Sequence, residues 1–224
     1  MRFEEWEPVY EEILRDFGWS RYDDESSVRM LKSVTLNSDL IDDEDLLSRF
    51  SDRCTVIGNA PCLESDLSSN TPCGTIVASG SSVGRLVAAG FTPDVVVTDL
   101  DGDIGPQLDA SSRGAVTVIH AHGDNQDLIR MHAGLFRGPV VLSTQAAPQG
   151  IVYDFGGFTD GDRAVCIARE AGCSRILLLG FDYDHPMPKG GSDPELKRRK
   201  LAWARRIIHD MNPSGTVLTL SSNL

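Results

Sequence analysis

Two periodicities divide this chain. Over its first fifty residues, Phe3, Trp6, Tyr10, Ile13, Leu14 and Phe17 recur at helical spacing with Glu and Arg between them. Gly18 can end that helix. A second helical stretch carries Val28, Leu31 and Val34, and after a polar break Leu46, Leu47 and Phe50. The pattern predicts a helical cap over residues 1–50 with no strand of its own, its aromatic stripe used for packing rather than as a cofactor box. From Cys54 the period changes. Short apolar runs at 54–57, 75–78, 94–98, 115–120, 139–142, 175–179 and 216–220 alternate with helical stretches at 81–89, 106–112, 125–136, 160–171 and 194–211. Such alternation predicts an α/β domain over residues 51–224, doubly wound and Rossmann-like, with a mostly parallel sheet covered by helices on both faces. The last strand is the one expected to tolerate an antiparallel edge, and the Pro- and Gly-containing stretch 186–191 reads as a mobile loop.

Composition narrows the functions such a fold can serve. At 224 residues and 41% hydrophobic, the chain can bury a full core. Its formal charge of −12 argues against a generic nucleic-acid binder, which needs a basic surface to neutralise phosphates. The five cysteines, Cys54, Cys62, Cys73, Cys166 and Cys173, form no CxxC pair, and so make neither a disulfide framework nor a zinc site. No apolar stretch is long enough for a membrane span, and the N-terminus lacks a signal-peptide core. A cytoplasmic protein without membrane or nucleic-acid partners is expected; homo-oligomerisation is left open.

The candidate chemistry gathers where strands end. In Val95-Val96-Val97-Thr98-Asp99-Leu100-Asp101-Gly102-Asp103, three carboxylates occupy alternate positions after a β-branched run, at the strand end where open parallel sheets bind ligands. Clustered carboxylates call for a cation, and hard oxygen ligands favour Mg²⁺ carrying substrate phosphates; an Asp/Gly turn explains the same residues. Gly58-Asn59-Ala60-Pro61 and Ser79-Gly80-Ser81-Ser82 each open a helix after a strand, so their backbone N–H groups can receive a phosphate, or Asn59 and Ser81 can simply cap. Neither is a Walker A loop. His120-Ala121-His122-Gly123-Asp124-Asn125-Gln126-Asp127 adds two histidines and two acids. It lacks a third soft ligand for zinc, but Asp124 and Asp127 can extend the oxygen-rich site. His120 or His122 can donate or accept a proton or hold a phosphate, or be a satisfied core histidine. Gly156 and Gly157 allow close backbone approach, Phe155 and Phe158 offer faces to a flat ring, and Asp160 can cap the next helix. Asp182 adds an acid after the sixth strand. In Lys197-Arg198-Arg199-Lys200 one or two members can reach a triphosphate from an otherwise solvated helix. No nucleophile elbow is present, which favours direct phosphoryl-type transfer.

These segments, GNAPCL, ASGSSVGRLVAAGFTPDVVVTDLDGD, HAHGDNQD, FGGFTDGDRA, LLLGFDYD and KRRKLAWA, in this order, resemble the archaeal MptE-like 6-hydroxymethyl-7,8-dihydropterin diphosphokinases over most of residues 54–211. A looser similarity links Asp99–Asp103 and Asp124–Asp127 to thiamine pyrophosphokinase, although Gln126 and Asp103 depart from that pattern. The first resemblance implies transfer of pyrophosphate from ATP to the hydroxymethyl oxygen of a reduced pterin, releasing AMP. It implies Mg²⁺ on Asp99, Asp101, Asp103 and Asp124, and Asp127 or His122 as proton acceptor. ATP contacts are expected from Asn59, Ser79, Gly80, Ser81, Gly156, Gly157, Asp160 and Lys197, and a pterin reader among Gln145, Asp160 and Asp182. The Asp99-Leu100-Asp101 element also resembles the DxD site of nucleotide-sugar glycosyltransferases, and a non-catalytic nucleotide-binding module is a third reading.

Overall fold

The computed structural model describes residues 3–185, 187, 193–211 and 217–219. Apart from Met187, the expected mobile loop lies outside the described residues, as do the two ends of the expected strand 216–220. The amphipathic start of the chain forms α1 (Phe3–Phe17), which buries Trp6, Val9, Tyr10 and Ile13. Gly18 ends it with φ at +69°, a conformation available to glycine at no steric cost. Ser20 then caps α2 (Arg21–Val34) by accepting from the Tyr22 amide. A short helix, α3 (Asp43–Leu47), completes this segment.

The α/β part runs β1 (Arg53–Ile57), α4 (Leu63–Ser69), β2 (Thr75–Ser79), α5 (Val83–Ala88), β3 (Val95–Thr98), α6 (Ile104–Ser112), β4 (Val116–Ala121), α7 (Gln126–His132), β5 (Val140–Thr144), β6 (Val152–Tyr153), α8 (Asp160–Glu170), β7 (Arg175–Leu179), α9 (Pro194–Arg205) and β8 (Val217–Thr219). The strands form one sheet in the order β6-β5-β4-β3-β2-β1-β7-β8, and every pairing is parallel. The last strand is therefore not the antiparallel edge that the sequence allowed. Two elements add to the expected set. β6 is only two residues long, and α4 is a short Ser- and Asp-containing helix whose apolar face is just Leu63 and Leu67.

Strand alternation sorts the core into two layers. Val56, Val77, Val97, Val118, Val141 and Leu178 face α3, α8 and α9. Ile57, Ala78, Val96 and Leu179 face α4, α5 and α6, while Ile119, Ala121, Val140 and Leu142 face α2 and α7. The N-terminal helices thus share cores with the sheet, and Trp6, Tyr10 and Ile13 pack with Phe158, Cys166 and Ile207. From β1 the chain steps outward to β6. The long crossover through α8 then returns it to β7 on the other side of β1, carrying the N-terminus of α8 over the ends of the central strands. Among the described residues no helix is long and apolar enough to cross a membrane.

Candidate active site

The carboxyl ends of β1 to β5 and β7 surround a cleft of about 450 Å³. Its walls come from Asn59, Ser79, Ser81, Asp99, Asp101 and Asp103 on one side, and from His120, His122 and Gln145 on another. Thr159, Asp160 and Arg163 of the α8 start, Asp182 after β7, and Lys197 and Lys200 of α9 complete it.

The acid loop after β3 is shaped by its own backbone. Leu100 has φ of +69° and Gly102 of +82°, so the chain coils back at both positions. Three groups hold that coil. The Leu100 amide donates to Thr98 Oγ1 at 2.8 Å, and buried Gln107 donates through Nε2 to the carbonyls of Asp101 and Asp103, each at 3.3 Å. Asn125 donates through Nδ2 to the Asp99 carbonyl at 3.0 Å and the His120 carbonyl at 2.7 Å, while its Oδ1 accepts from the His122 amide at 3.0 Å. One buried side chain thereby fixes the acid loop against the histidine loop. Gly80 packs closely on the same loop, and its backbone N–H donates to the Asp160 carboxylate. A Cβ there would stand 2.3 Å from Thr98 Oγ1, and Gly80 is absent from the cleft wall.

Asp160 is expected from the sequence as a helix cap, an ATP contact or a pterin reader, but not as a companion of Asp99 and Asp101. Its side chain is 13% exposed, its Oδ1 accepts no hydrogen bond, and its ion pair with Arg163 Nη1 is stretched to 3.9 Å. Burial, and then the charges of Asp99 and Asp101, push its carboxyl well above the usual carboxylate range. The capping work is done by Thr159 and Asp162 in a reciprocal capping box, which leaves Asp160 facing the other two acids. Among the described residues no three His, Cys, Asp or Glu side chains form a ready-made metal ligand cluster. The donor set nevertheless fits a hard cation. Mg²⁺ ordinarily takes one or two carboxylates and fills its octahedron with phosphate oxygens and water, and a cation there would relieve the repulsion that Asp160 feels.

The two expected acids of the histidine loop stand elsewhere. Asp127 is 85% exposed and paired with Arg130 at 2.8 Å, on the solvent face of α7, because residue 127 begins a helix that leads away from the cleft. Asp124 lines a small neighbouring pocket with Trp19, Ser20 and Asp23 rather than the main cleft. Asp103 lines the cleft, but its Oδ1 caps α6 through the Gly105 amide at 3.1 Å. Gly156 and Gly157 are not cleft residues. The Gly156 amide donates to Asp154 Oδ1 at 3.0 Å, and a Cβ on Gly157 would meet the Arg163 backbone at 2.5 Å. Their freedom lets the loop dock on α8.

The histidines differ from one another. His122 Nδ1 accepts from the Asp124 amide at 3.3 Å, so a neutral ring carries its proton on Nε2, 3.5 Å from Asp99 Oδ2. In that tautomer His122 presents a donor toward Asp99. His120 is fully enclosed, and burial, with Arg163 and His122 adding to it, holds its ring well below the usual imidazole range. The basic run on α9 is split by helical geometry. Lys197 lines the cleft and donates to the Met187 carbonyl at 2.6 Å, and Lys200 lies 5.0 Å above the Trp19 ring and 5.9 Å above Phe158. Arg198 turns to Glu195, and Arg199 turns to Asp16. Trp19 and Arg163 are cleft residues to which the sequence assigns no role, and Lys200 is one of the four basic residues of which one or two are expected to reach the ligand. The i, i+3 spacing of Lys197 and Lys200 was the available signal; Trp19 and Arg163 carried none.

An all-parallel doubly wound sheet whose strand ends bring acids, lysines and aromatic rings to one cleft defines a class: an α/β protein with a polar cleft at the carboxyl ends of its strands. The comparisons place it more narrowly. Residues 29–187 match the family described as 6-hydroxymethylpterin diphosphokinase MptE-like, and the chain belongs to that family. It is 40% identical to the 6-hydroxymethyl-7,8-dihydropterin pyrophosphokinase of Pyrococcus furiosus, over 96% of each chain. It is 35% identical to the protein of that name from Methanothermobacter thermautotrophicus, over 97% of this chain and 98% of the relative. Among solved structures, the MAf glycosyltransferase of Magnetospirillum magneticum AMB-1 superposes with a TM-score of 0.49 at 16% identity, covering 78% of this chain and 34% of that one. The family read from the motifs is the family found.

Proposed function

We propose that this protein transfers the pyrophosphoryl group of ATP to the hydroxymethyl oxygen of 6-hydroxymethyl-7,8-dihydropterin and releases AMP. The names carried by its relatives give the substrate. The observation that carries the reading to this chain is that Asp99, Asp101 and Asp160 line one cleft together with Lys197 and Lys200. Attack at the β-phosphorus builds charge on its oxygens and on the departing AMP, so catalysis rests on positioning and charge neutralisation more than on a strong base. Asp99, Asp101 and Asp160 would hold Mg²⁺, which when bound neutralises phosphate oxygens and orients the transferred group.

The remaining roles follow from the side chains themselves. Lys197 and Lys200 receive phosphate charge. His122 orients Asp99 and offers its Nε2 proton to a phosphate oxygen. Ser79, Ser81 and Asn59 border the nucleotide half of the cleft, where Arg85 Nη1 fixes Asn59 through its Oδ1 at 2.7 Å. Trp19 and Phe158, with rings 5.8 Å apart, offer an aromatic wall. This assigns the third acid to Asp160 in place of Asp124, and gives Asp127 no part. We further read residues 1–50 as a fixed wall of the cleft rather than a separate unit. The test is direct: purified protein, ATP, Mg²⁺ and the reduced hydroxymethylpterin are incubated and nucleotides are separated. AMP in equal amount to pterin consumed is expected; ADP, or no nucleotide turnover, refutes the proposal.

A further inference from the structure

The guanidinium of Arg85, on α5, joins two neighbouring elements behind the cleft wall. Its Nε donates to Glu64 Oε1 of α4 at 2.6 Å, and Nη2 donates to the other oxygen of that carboxylate, a bidentate pair that fixes the plane of the fork. Nη1 then faces the loop after β1. It donates to the Asn59 carbonyl at 3.2 Å, to Asn59 Oδ1 at 2.7 Å and to the Ala60 carbonyl at 3.0 Å. The shortest of these three bonds goes to a side chain. Asn59 lines the cleft, whereas Arg85 does not.

The bond to Oδ1 settles which way the Asn59 amide points. A guanidinium only donates, so the atom turned toward it is the oxygen, and the amide nitrogen Nδ2 lies on the other side. Among the described residues Nδ2 has no hydrogen-bond partner. The loop itself is held on both flanks of Asn59. The Gly58 amide donates to the Leu179 carbonyl and the Ala60 amide to the Gly180 carbonyl, each at 2.8 Å. Ser79 and Ser81 line the same cleft from the next strand end. Asn59 thus brings to the cleft a fixed N–H donor group with its oxygen withdrawn.

Such a group suits an occupant made of acceptors. The phosphate chain of a nucleotide is one, whereas a pterin edge mixes N–H donors with its acceptors. We infer that Arg85 is a positioning residue: by holding Asn59 Oδ1 it aims Nδ2 at a phosphate oxygen of the bound nucleotide, and so sets the affinity for ATP without touching it. Glu64 steadies the guanidinium from the side away from the loop. The inference rests on the reading that ATP enters this cleft, and it concerns nucleotide affinity rather than the chemical step.

In the test, Asn59→Ala removes the amide, Asn59→Asp keeps an acceptor for Arg85 but turns an oxygen to the cleft, and Arg85→Met frees the amide to rotate. Binding of a non-hydrolysable ATP analogue with Mg²⁺, followed by titration calorimetry, should weaken about 10-fold in Asn59→Ala and about 100-fold in Asn59→Asp, where carboxylate meets phosphate. KM for ATP should rise in step, while kcat and the KM for the reduced pterin stay within about twofold. Arg85→Met should weaken the analogue by about 10-fold alone and by less than about twofold on top of Asn59→Ala, because the amide it aims is already gone. If Arg85→Met does not fold, Glu64→Gln decides: Glu64 is exposed, and loosening the fork from outside should cost about threefold alone and nothing on top of Asn59→Ala. Unchanged analogue affinity in Asn59→Asp, a rise in the pterin KM in place of the ATP KM, or losses in Arg85→Met or Glu64→Gln that persist in full beside Asn59→Ala would each overturn the inference, while wild-type AMP formation left the proposed reaction standing. A wild type that binds the analogue through Asn59 as stated but forms no AMP refutes the reaction and keeps the inference. A wild type that binds no analogue overturns both.

Discussion

Asn125→Asp changes one buried atom type and nothing in shape, and its consequences can be worked from the hydrogen bonds. The wild-type amide nitrogen donates to the carbonyls of Asp99 and His120, and its oxygen accepts from the His122 amide. Aspartate keeps the acceptor for His122 but turns an oxygen toward two carbonyl oxygens at 3.0 and 2.7 Å. Each buried acceptor that loses its donor costs about 1–3 kcal/mol, so the pair costs about 2–6 kcal/mol, a large part of a typical total of 5–15 kcal/mol. The new carboxyl can restore one donor by protonating, which raises its folded-state pKa. The variant is therefore least impaired at low pH and loses stability as pH rises through that pKa. Urea denaturation at pH 6 and pH 8 should show a lowered midpoint at both, lower still at pH 8, with an unchanged m-value. Because Asp99 and His122 are both displaced, AMP formation should drop by about 10²-fold, the scale of a 1 Å misplacement. A variant with wild-type midpoint and wild-type turnover would show that Asn125 does not join the two loops.

Two further perturbations probe other parts of the frame. Gly80→Ala would drive a Cβ to 2.3 Å from Thr98 Oγ1, so it should destabilise by about 1–3 kcal/mol and slow turnover by shifting the acid loop; thermal unfolding and AMP assays on the same sample check both. Asp154 is partly buried with an Oδ2 that makes no hydrogen bond, and desolvation pushes its carboxyl up to about 7. A raised folded-state value favours the protonated form, so its contribution is favourable in acid and is lost as pH rises from about 4 to about 7. Asp154→Asn should accordingly flatten the stability profile over that window and stabilise the protein by about 2–4 kcal/mol at pH 8, as read by unfolding midpoints across pH.

What the sequence disclosed followed from local physics. The run Val95–Val97 needed only its β-branched side chains to read as a buried strand, and Asp99 and Asp101 had to emerge at its end. Helical spacing marked Trp6, Tyr10 and Ile13 as one buried stripe, and it separates Lys197 and Lys200 from Arg198 and Arg199. What it withheld depended on the tertiary path. Asp160 reads as a helix cap or a ligand contact, and only the crossover through α8 over β1, β2 and β3 sets it in one cleft with acids some sixty residues earlier, an encounter no local spacing encodes. Asp124 and Asp127 were drawn toward the acids because they follow β4, yet the loop turns and Asp127 faces solvent. Gly156 and Gly157 suggested a phosphate cradle, since close approach to a ligand and close approach to a helix leave the same residue signature. Trp19 sits one residue after the glycine that ends α1, and its place in the cleft follows from how the two N-terminal helices dock.

Cation binding tests the central claim most directly. Mn²⁺ is titrated into the protein with a non-hydrolysable ATP analogue, and free ion is followed by its electron paramagnetic resonance signal. If Asp99, Asp101 and Asp160 form the cation site, ATP-dependent Mn²⁺ uptake is strong in the wild type and in Asp124→Asn, and is lost in Asp101→Asn and Asp160→Asn. Loss in Asp124→Asn with full retention in Asp160→Asn would contradict the account and return the site to the histidine loop.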